Sequence, residues 1–376
     1  MSVLIFTLMG CFLAANQCIV ANVTEALGGT ETEMGYMISA LYIGAMVAVP
    51  LEGELSVLLG KRKIVFLATC LVCLGSLMIM MAQSVVFAIV GFAVYGSGIG
   101  GYEGINMALV ADNRQHDSNR FLNLLQALFS IGAMVTPLLI ATFLKSDEFR
   151  PLYAILVACY VFIALYFLTD RRIDTFASVD VREEGGPAFL KLMKNRTMLL
   201  YMAAMFIYLG AETALTFWVG SMYSHAGIGE YGAMALSVYW FASIIGRLLG
   251  TRVKSPKTIM APCFLISAIG YFIVAFVPGV LAKTAAIVLV GIVFAPVYAG
   301  LALMGGELFP DGSAPAFTLM IFAANVGGVA FQPFISLFLS SADPSPAYWV
   351  TGILCGVVGA VLALVIARQK KAAVVV

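Results

Sequence analysis

The stretch 98–106, GIGGYEGIN, places Glu103 inside an apolar run that extends over residues 84–111. No other charged side chain lies in that run. A carboxylate is costly in hydrocarbon, so such a residue is by default a proton or substrate site that faces protein or water. Burial also favours its protonated form, which suits proton exchange at ordinary pH. Glu103 is therefore our first candidate for proton coupling.

Glycines at 96, 100 and 104 recur every four residues and form a smooth stripe beside Glu103. Asn106 lies three residues beyond the glutamate on the same helix face. This pattern directs the carboxylate toward protein or a water-filled cavity rather than toward lipid. A structural glutamate that joins two helices is the alternative interpretation.

A second acid, Glu212, lies in the apolar segment YMAAMFIYLGAETALTFWVG. Tyr208 and Thr216 are four residues to either side, so the three side chains share one helix face. About 15 residues of helix precede Glu212, which places it roughly 22 Å along the span, in its outer half. We expect Glu212 to contact solute or to assist proton transfer. No buried basic partner for either acid is evident from the sequence.

Amides and aromatic side chains accompany these acids in the apolar segments. Amides both donate and accept hydrogen bonds, so they can replace the water of a polyhydroxylated ring, while flat rings cover its C–H faces. The alternative is that the amides join helices and that Trp and Tyr anchor span ends at the membrane interface. The predicted substrate-binding residues are Asn16, Gln17, Tyr102, Asn106, Asn123, Gln126, Tyr208, Trp218, Tyr239, Trp240, Tyr298 and Asn325.

The composition indicates the fold class that positions these acids, amides and rings. The chain of 376 residues is 62% hydrophobic and 11% charged, with a mean hydropathy of +1.00, whereas soluble domains are about 25% charged. It is predicted to be an all-α membrane protein with twelve transmembrane helices, each crossing about 30 Å of hydrocarbon. The predicted spans are 3–24, 34–57, 64–83, 85–110, 121–144, 152–169, 197–222, 231–250, 258–278, 282–306, 316–339 and 348–367.

The distribution of basic residues predicts the orientation. With the N-terminus inside, all but three of the 21 Lys and Arg residues fall in inner loops, the exceptions being Lys145, Arg150 and Lys283. This positive-inside bias predicts cytoplasmic N- and C-termini. We expect a multi-pass protein of the cell (inner or plasma) membrane.

A polar segment, 169–196, divides the chain into six-span bundles at 1–168 and 197–376. The halves look like repeats. When the second half is aligned to the first at one constant offset in residue number, Tyr102 and Gly104 match Tyr298 and Gly300. At the same offset, Gly132 and Pro137 match Gly328 and Pro333. Two pseudo-symmetric six-helix bundles around a mid-membrane site are typical of the major facilitator fold.

The loop GELSVLLGKRK, between spans two and three, resembles the facilitator motif G-x-L-x-D-x-x-G-[RK]-[RK]. Gly53, Gly60, Lys61 and Arg62 fit this gating loop, although the motif's aspartate is absent. Arg247, in GRLLG at the end of span eight, is expected to supply part of the missing charge clamp. A snorkelling arginine is the alternative.

Three segments resemble one branch of the major facilitator superfamily, the fucose permease-like sugar–proton symporters. They are GIGGYEGIN of span four, RFLNLLQALFSIGA of span five and YLGAETALTFW of span seven. The resemblance implies that Glu103 is the proton-linked glutamate and Gln126 a sugar-facing amide. The acid that this branch commonly carries in span one is replaced by the neutral pair Asn16-Gln17, so Glu212 is a candidate for the second acid's role.

These observations predict a monomeric secondary transporter. Its expected partners are a small solute, protons and the lipid bilayer, with no nucleic acid. We expect no enzyme activity, no cofactor and no metal, since Cys70 and Cys73 form an isolated C-x-x-C within a span. An exporter of amphipathic compounds and an uncoupled sugar facilitator remain alternatives. A non-transporting sensor is disfavoured because the longest loop has only about 28 residues.

Overall fold

The computed structural model describes residues 2–59, 61–113, 118–143, 148–169, 192–308, 313–341 and 344–374. Along parts of some helices, including 52–54, 56–58, 61–62 and 103–113, it describes the backbone alone. The predictions for Glu103, Asn106, Lys61 and Arg62 therefore concern side chains outside the described set, and Gly60 lies outside the described residues. Gly53 belongs to a helix backbone.

The described chain is helical throughout. Ten helical segments are long and apolar enough to cross a membrane, and two shorter apolar helices cover Arg150–Tyr166 and Met260–Phe276. Each predicted span falls on one of these segments. The helices are α1 (Ser2–Ala26), α2 (Glu31–Leu59), α3 (Lys61–Met80), α4 (Val85–Asn113), α5 (Ser118–Phe143), α6 (Arg150–Thr169), α7 (Arg196–Thr216), α8 (Val219–His225), α9 (Gly232–Gly250), α10 (Met260–Phe276), α11 (Val280–Phe294), α12 (Val297–Glu307), α13 (Ser313–Leu339) and α14 (Ser345–Val374).

Two predicted spans are interrupted in the structure. Span 197–222 turns at Phe217 and Trp218, between α7 and α8, and span 282–306 turns at Pro296, between α11 and α12. Proline has no N–H to continue the helix ladder, which explains the second break. Irregular backbone at membrane depth is tolerated only where protein or a water-filled cavity surrounds it. The complete burial of Trp218 agrees with this requirement.

Glycines bring the helix backbones into close contact. On α4, an added Cβ at Gly96 would lie 1.8 Å from the carbonyl oxygen of Leu41, and one at Gly100 would lie 2.7 Å from that of Ala45. Small residues permit such an approach, and in a bilayer close backbone packing is a main source of helix association. The glycine stripe predicted on α4 thus packs against α2.

The two halves of the chain repeat the same helix pairings. In the first half α1 packs on α5, α2 on α4 and α3 on α6, and in the second half α7 packs on α13, α9 on α11 and α10 on α14. The halves meet mainly where α5 packs on α9 and where α2 packs on α13. This pairing agrees with the internal repeat found in the sequence.

We call the face where α1 begins the near face and the face where α1 ends the far face. Toward the near face, Nδ2 of Asn119 in α5 donates to the carbonyl oxygen of Gly250, the last residue of α9, at 3.2 Å and to that of Val253, just beyond it, at 2.9 Å. In the far-face half of α2, Oγ of Ser39 donates to the carbonyl oxygen of Val329 at 3.1 Å. Side-chain bonds to main-chain oxygens therefore join the halves at two different depths.

The crossing of α2 and α4 can be tested with Gly96→Ala. The added methyl group collides with backbone, so we expect a loss of about 1–3 kcal/mol in stability and a lower melting temperature in detergent. Gly220→Ala is the matched control, because its Cβ would meet no atom within 4 Å. If Gly96→Ala melts no earlier than Gly220→Ala, the close approach of the helices is wrong.

Candidate functional site

A small cavity of about 80 Å³ lies between the two halves. Since one water occupies about 30 Å³ in the liquid, this volume suits a few waters and is smaller than a hexose. The predicted residues in its lining are Gln17, Gln126, Tyr208, Glu212, Trp240, Arg247, Tyr298 and Asn325. Both halves of the chain thus contribute polar side chains to one central space.

Glu212 is the buried carboxylate of this cavity, with 7% of its surface exposed. The hydroxyl of Tyr208 donates to its Oε2 at 3.0 Å, and the hydroxyl of Tyr239 donates to its Oε1 at 2.9 Å. Tyr208 is one turn away on α7, as the spacing predicts, while Tyr239 comes from α9. Hydrogen bonds to a charged acceptor are stronger than neutral ones, so these two donors hold the carboxylate in place.

Arg247 lines the same cavity and is only 3% exposed. A buried basic residue thus shares the cavity with Glu212, although the two form no ion pair among the described residues. Its Nη1 donates to the carbonyl oxygen of Gln126 and to Oγ of Ser130, both on α5. Its guanidinium also lies 5.6 Å from the ring centre of Phe129 and 5.7 Å from that of Trp240. Packed against both rings, Arg247 joins α9 to α5 and does not snorkel to the membrane surface.

Gln17 joins the halves across the cavity. Its Nε2 donates to Oγ1 of Thr216 at 3.0 Å, and its Oε1 accepts from the indole Nε1 of Trp240 at 3.0 Å. Gln332 makes the same pattern within the second half, donating to Thr213 at 2.9 Å and accepting from Trp218 at 2.8 Å. The first set links α1 to α7 and α9, whereas the second supports the break between α7 and α8.

Five described residues of the predicted binding set lie outside the cavity lining: Asn16, Tyr102, Asn123, Trp218 and Tyr239, whose bond to Glu212 is given above. Asn16 accepts a 2.6 Å hydrogen bond from Tyr153. Tyr102 bonds to Thr69 through their hydroxyls. Asn123 donates to Asn119 at 3.0 Å within α5, and Trp218 bonds to Gln332 as described above. The alternative in which amides and aromatics join helices fits the contacts of Asn16, Tyr102 and Trp218.

Sequence reasoning left some lining residues unassigned, among them Tyr42. The internal repeat holds a signal for it, because Tyr42 matches Tyr239, a residue of the predicted set. Tyr298, which was predicted, follows the break at Pro296 and places its ring 6.1 Å from that of Tyr208. Asn325 donates to the carbonyl oxygen of Ile321 at 3.0 Å and lines the cavity from α13.

A larger vestibule of about 1090 Å³ lies toward the far face. The end of α1, the end of α5, α8 and the start of α9 line it. Its described lining carries three carboxylates, Glu25, Glu31 and Glu148, but no Lys or Arg. Nε2 of His225 lies 3.0 Å from Oε1 of Glu31 and connects α8 to α2. Gln17 is the one described residue that lines both the vestibule and the central cavity.

These features define the class of protein: a multi-pass membrane protein with a polar space between two sets of helices. The chain matches the Major Facilitator Superfamily over residues 2–314 and belongs to that superfamily. Members of this superfamily carry small-molecule solutes across membranes, and membership points to transport rather than to enzyme chemistry.

Several known proteins are similar to the chain. Bypass of stop codon protein 6 of Saccharomyces cerevisiae is 25% identical over 296 residues, covering 70% of this chain. The match spans 58% of the yeast protein, little more than half its length. Glucose/mannose transporter GlcP of Bacillus subtilis is 26% identical over 189 residues, which is 47% of each chain.

Two solved structures share the fold. The E. coli fucose:proton symporter FucP has a TM-score of 0.67 at 19% identity, covering 97% of this chain and 99% of its own. Nucleoside transporter NupG has a TM-score of 0.72 at 15% identity, covering 98% of both chains. At these identities the similarity establishes the major facilitator architecture alone.

The hydrogen bond from Tyr239 to Glu212 can be tested with Tyr239→Phe. Removing one donor to a buried carboxylate should lower stability by about 1.5–3 kcal/mol, measured as melting temperature in detergent. In a Glu212→Gln background the same change should cost much less, because the charged acceptor is gone. Tyr348→Phe is the matched control, since the buried hydroxyl of Tyr348 has no hydrogen-bond partner among the described residues. Equal losses for both tyrosines would contradict the assigned bond.

Proposed function

We propose that the chain is a secondary transporter that imports a small polyhydroxylated solute together with a proton by alternating access. The observation that carries the proposal is the carboxylate of Glu212, held by two tyrosine hydroxyls beside a central cavity lined by amides and aromatic rings. The sugar transport named for GlcP and the fucose–proton symport named for FucP support the choice of solute and of coupling ion.

The proposed topology has twelve spans, formed by bundles at 1–168 and 197–376 with a cytoplasmic linker at 169–196. The repeated helix pairings support this division. The positive-inside bias supports cytoplasmic termini, so the near face is cytoplasmic and the vestibule opens outward. The protein acts as a monomer in the inner or plasma membrane.

Glu103 and Glu212 are the proposed proton carriers. Ile99 lines the cavity, and Glu103 follows it by four residues, one helical turn further along α4. This spacing and the sequence pattern around Glu103 are the basis for proposing it as a proton carrier. The acidic vestibule raises the local proton concentration at the outer mouth.

Gln17 is the proposed outer gate. Its bonds to Thr216 and Trp240 cross between the bundles at the point where the vestibule meets the central cavity. Opening the gate breaks both bonds and admits solute. On the near face, the contacts of Asn119 and Arg247 with the opposite bundle form the inner closure, which separates when the bundles rock.

Uptake into proteoliposomes tests proton coupling. With one proton per solute, each pH unit is worth 1.36 kcal/mol and supports about tenfold accumulation of labelled hexose. Glu103→Gln and Glu212→Gln should equilibrate the solute without accumulating it. Glu230→Gln, at an exposed acid of the far-face loop, is the matched control and should accumulate as the wild type does.

The outcome also distinguishes the remaining mechanisms. If uptake by the wild type is the same with and without a pH gradient, the protein is an uncoupled facilitator and neither acid has a proton role. Loss of accumulation in Glu212→Gln but not in Glu103→Gln would assign the proton to α7 alone.

The gate can be tested by labelling a cysteine in the cavity. Leu13→Cys, in a variant without the seven native cysteines, should react faster with a thiol reagent after Gln17→Ala. A loss of about 1 kcal/mol of inter-bundle bonding raises the open population about fivefold. Gln332→Ala removes the equivalent bonds within one bundle and should leave the rate unchanged. Equal acceleration by both variants would rule out a gate at Gln17.

A further inference from the structure

Arg247 is a buried cation with unused donors. Its Nη1 bonds to α5, but its Nε has no hydrogen-bond partner among the described residues, and its Nη2 donates to none of them. It makes no ion pair with any carboxylate that the structure describes. One edge of a guanidinium in the cavity lining is therefore unsatisfied within the described part of the chain.

An unpaired cation of this kind is costly. The rings of Phe129 and Trp240 offset part of the cost through their faces, but a buried charge is normally neutralised by an opposite charge. Glu212 is the one carboxylate in the described lining, and its two oxygens accept from Tyr208 and Tyr239. Ionised Glu212 can therefore offset the charge of Arg247 across the cavity, but the anion that binds the free edge of Arg247 has to come from outside the described lining.

We propose that the solute supplies this anion: it is a polyhydroxylated carboxylate, a sugar acid, whose carboxylate binds the free edge of Arg247. A guanidinium presents parallel N–H donors that match the two oxygens of a carboxylate. The amides of Gln126 and Asn325 and the rings of Trp240 and Tyr298 then contact the hydroxylated part. This inference rests on the proposed function and specifies its substrate class.

The charges of the cavity give the coupling a physical basis. With Glu212 ionised, its negative charge balances Arg247, so a further anion is disfavoured. When Glu212 takes up a proton from the vestibule, the cavity is left with one positive charge and attracts the carboxylate. One proton and one monoanion thus enter together, and the loaded cavity is neutral again when the bundles rock.

Because the vestibule is acidic, the dependence of uptake on ionic strength reports whether the solute is charged. Glu25, Glu31 and Glu148 repel an approaching anion, and salt screens this repulsion over a Debye length of about 10 Å at 0.1 M. Initial uptake of a sugar acid should therefore rise with ionic strength. Uptake of a neutral sugar should not change.

The test compares matched pairs on the wild-type protein: glucuronate with glucose, galacturonate with galactose, and gluconate with sorbitol. Binding is measured by thermal shift at several pH values, and uptake in proteoliposomes. For at least one pair we expect the acid to bind at least tenfold more tightly than its neutral partner. Arg247→Gln should abolish that preference, whereas Arg247→Lys should retain part of it.

The wild-type comparison decides the inference even if the arginine variants do not fold. Proton-driven accumulation of a neutral sugar, with no preference for any acid, would overturn the sugar-acid assignment and leave the proposed function standing. Equal weakening of acid and neutral binding by Arg247→Gln would overturn the role of Arg247. Failure of every acid and neutral sugar to bind or accumulate would reject both the inference and the proposed function.

Discussion

The placement of charge in a water-poor interior is the constraint on which the rest of the structure depends. Glu212 lies within hydrogen-bonding distance of two tyrosine hydroxyls from different helices, and Arg247 is packed against two aromatic rings. Neither group is tolerable in hydrocarbon without such surroundings. Because these partners come from α5, α7 and α9, the helices must keep their positions for the charges to stay buried.

That positioning comes from close backbone contacts. An added Cβ at Gly10 would lie 1.9 Å from the carbonyl oxygen of Phe129, and one at Gly327 would lie 2.0 Å from that of Phe206. The first contact joins α1 to α5 and the second joins α7 to α13, which are corresponding pairs in the two halves. The described side-chain bonds between the halves, such as those of Gln17, are polar hydrogen bonds, so they can break while each half keeps its packing.

Much of the fold was predictable from the sequence because apolar runs of span length leave few alternatives. The face shared by Tyr208 and Glu212 followed from helical spacing. The partners supplied by other helices did not, since no local pattern shows that Tyr239 reaches Glu212 or that Asn16 bonds to Tyr153. Arg247 was assigned to the gating region, but its burial beside the cavity depends on the packing of α9 against α5.

The break after α7 separates a short helix, α8, from the rest of its span. Its seven residues lie between the turn at Trp218 and the glycine at 227, whose φ of 73° suits a residue without a side chain. A segment bounded by two turns can tilt while α7 keeps its hold on Glu212. Under the proposed function, a tilt of α8 at the mouth of the vestibule is separable from the rotation of whole bundles, so a compound wedged beneath α8 would arrest the cycle before the proposed proton site changes sides.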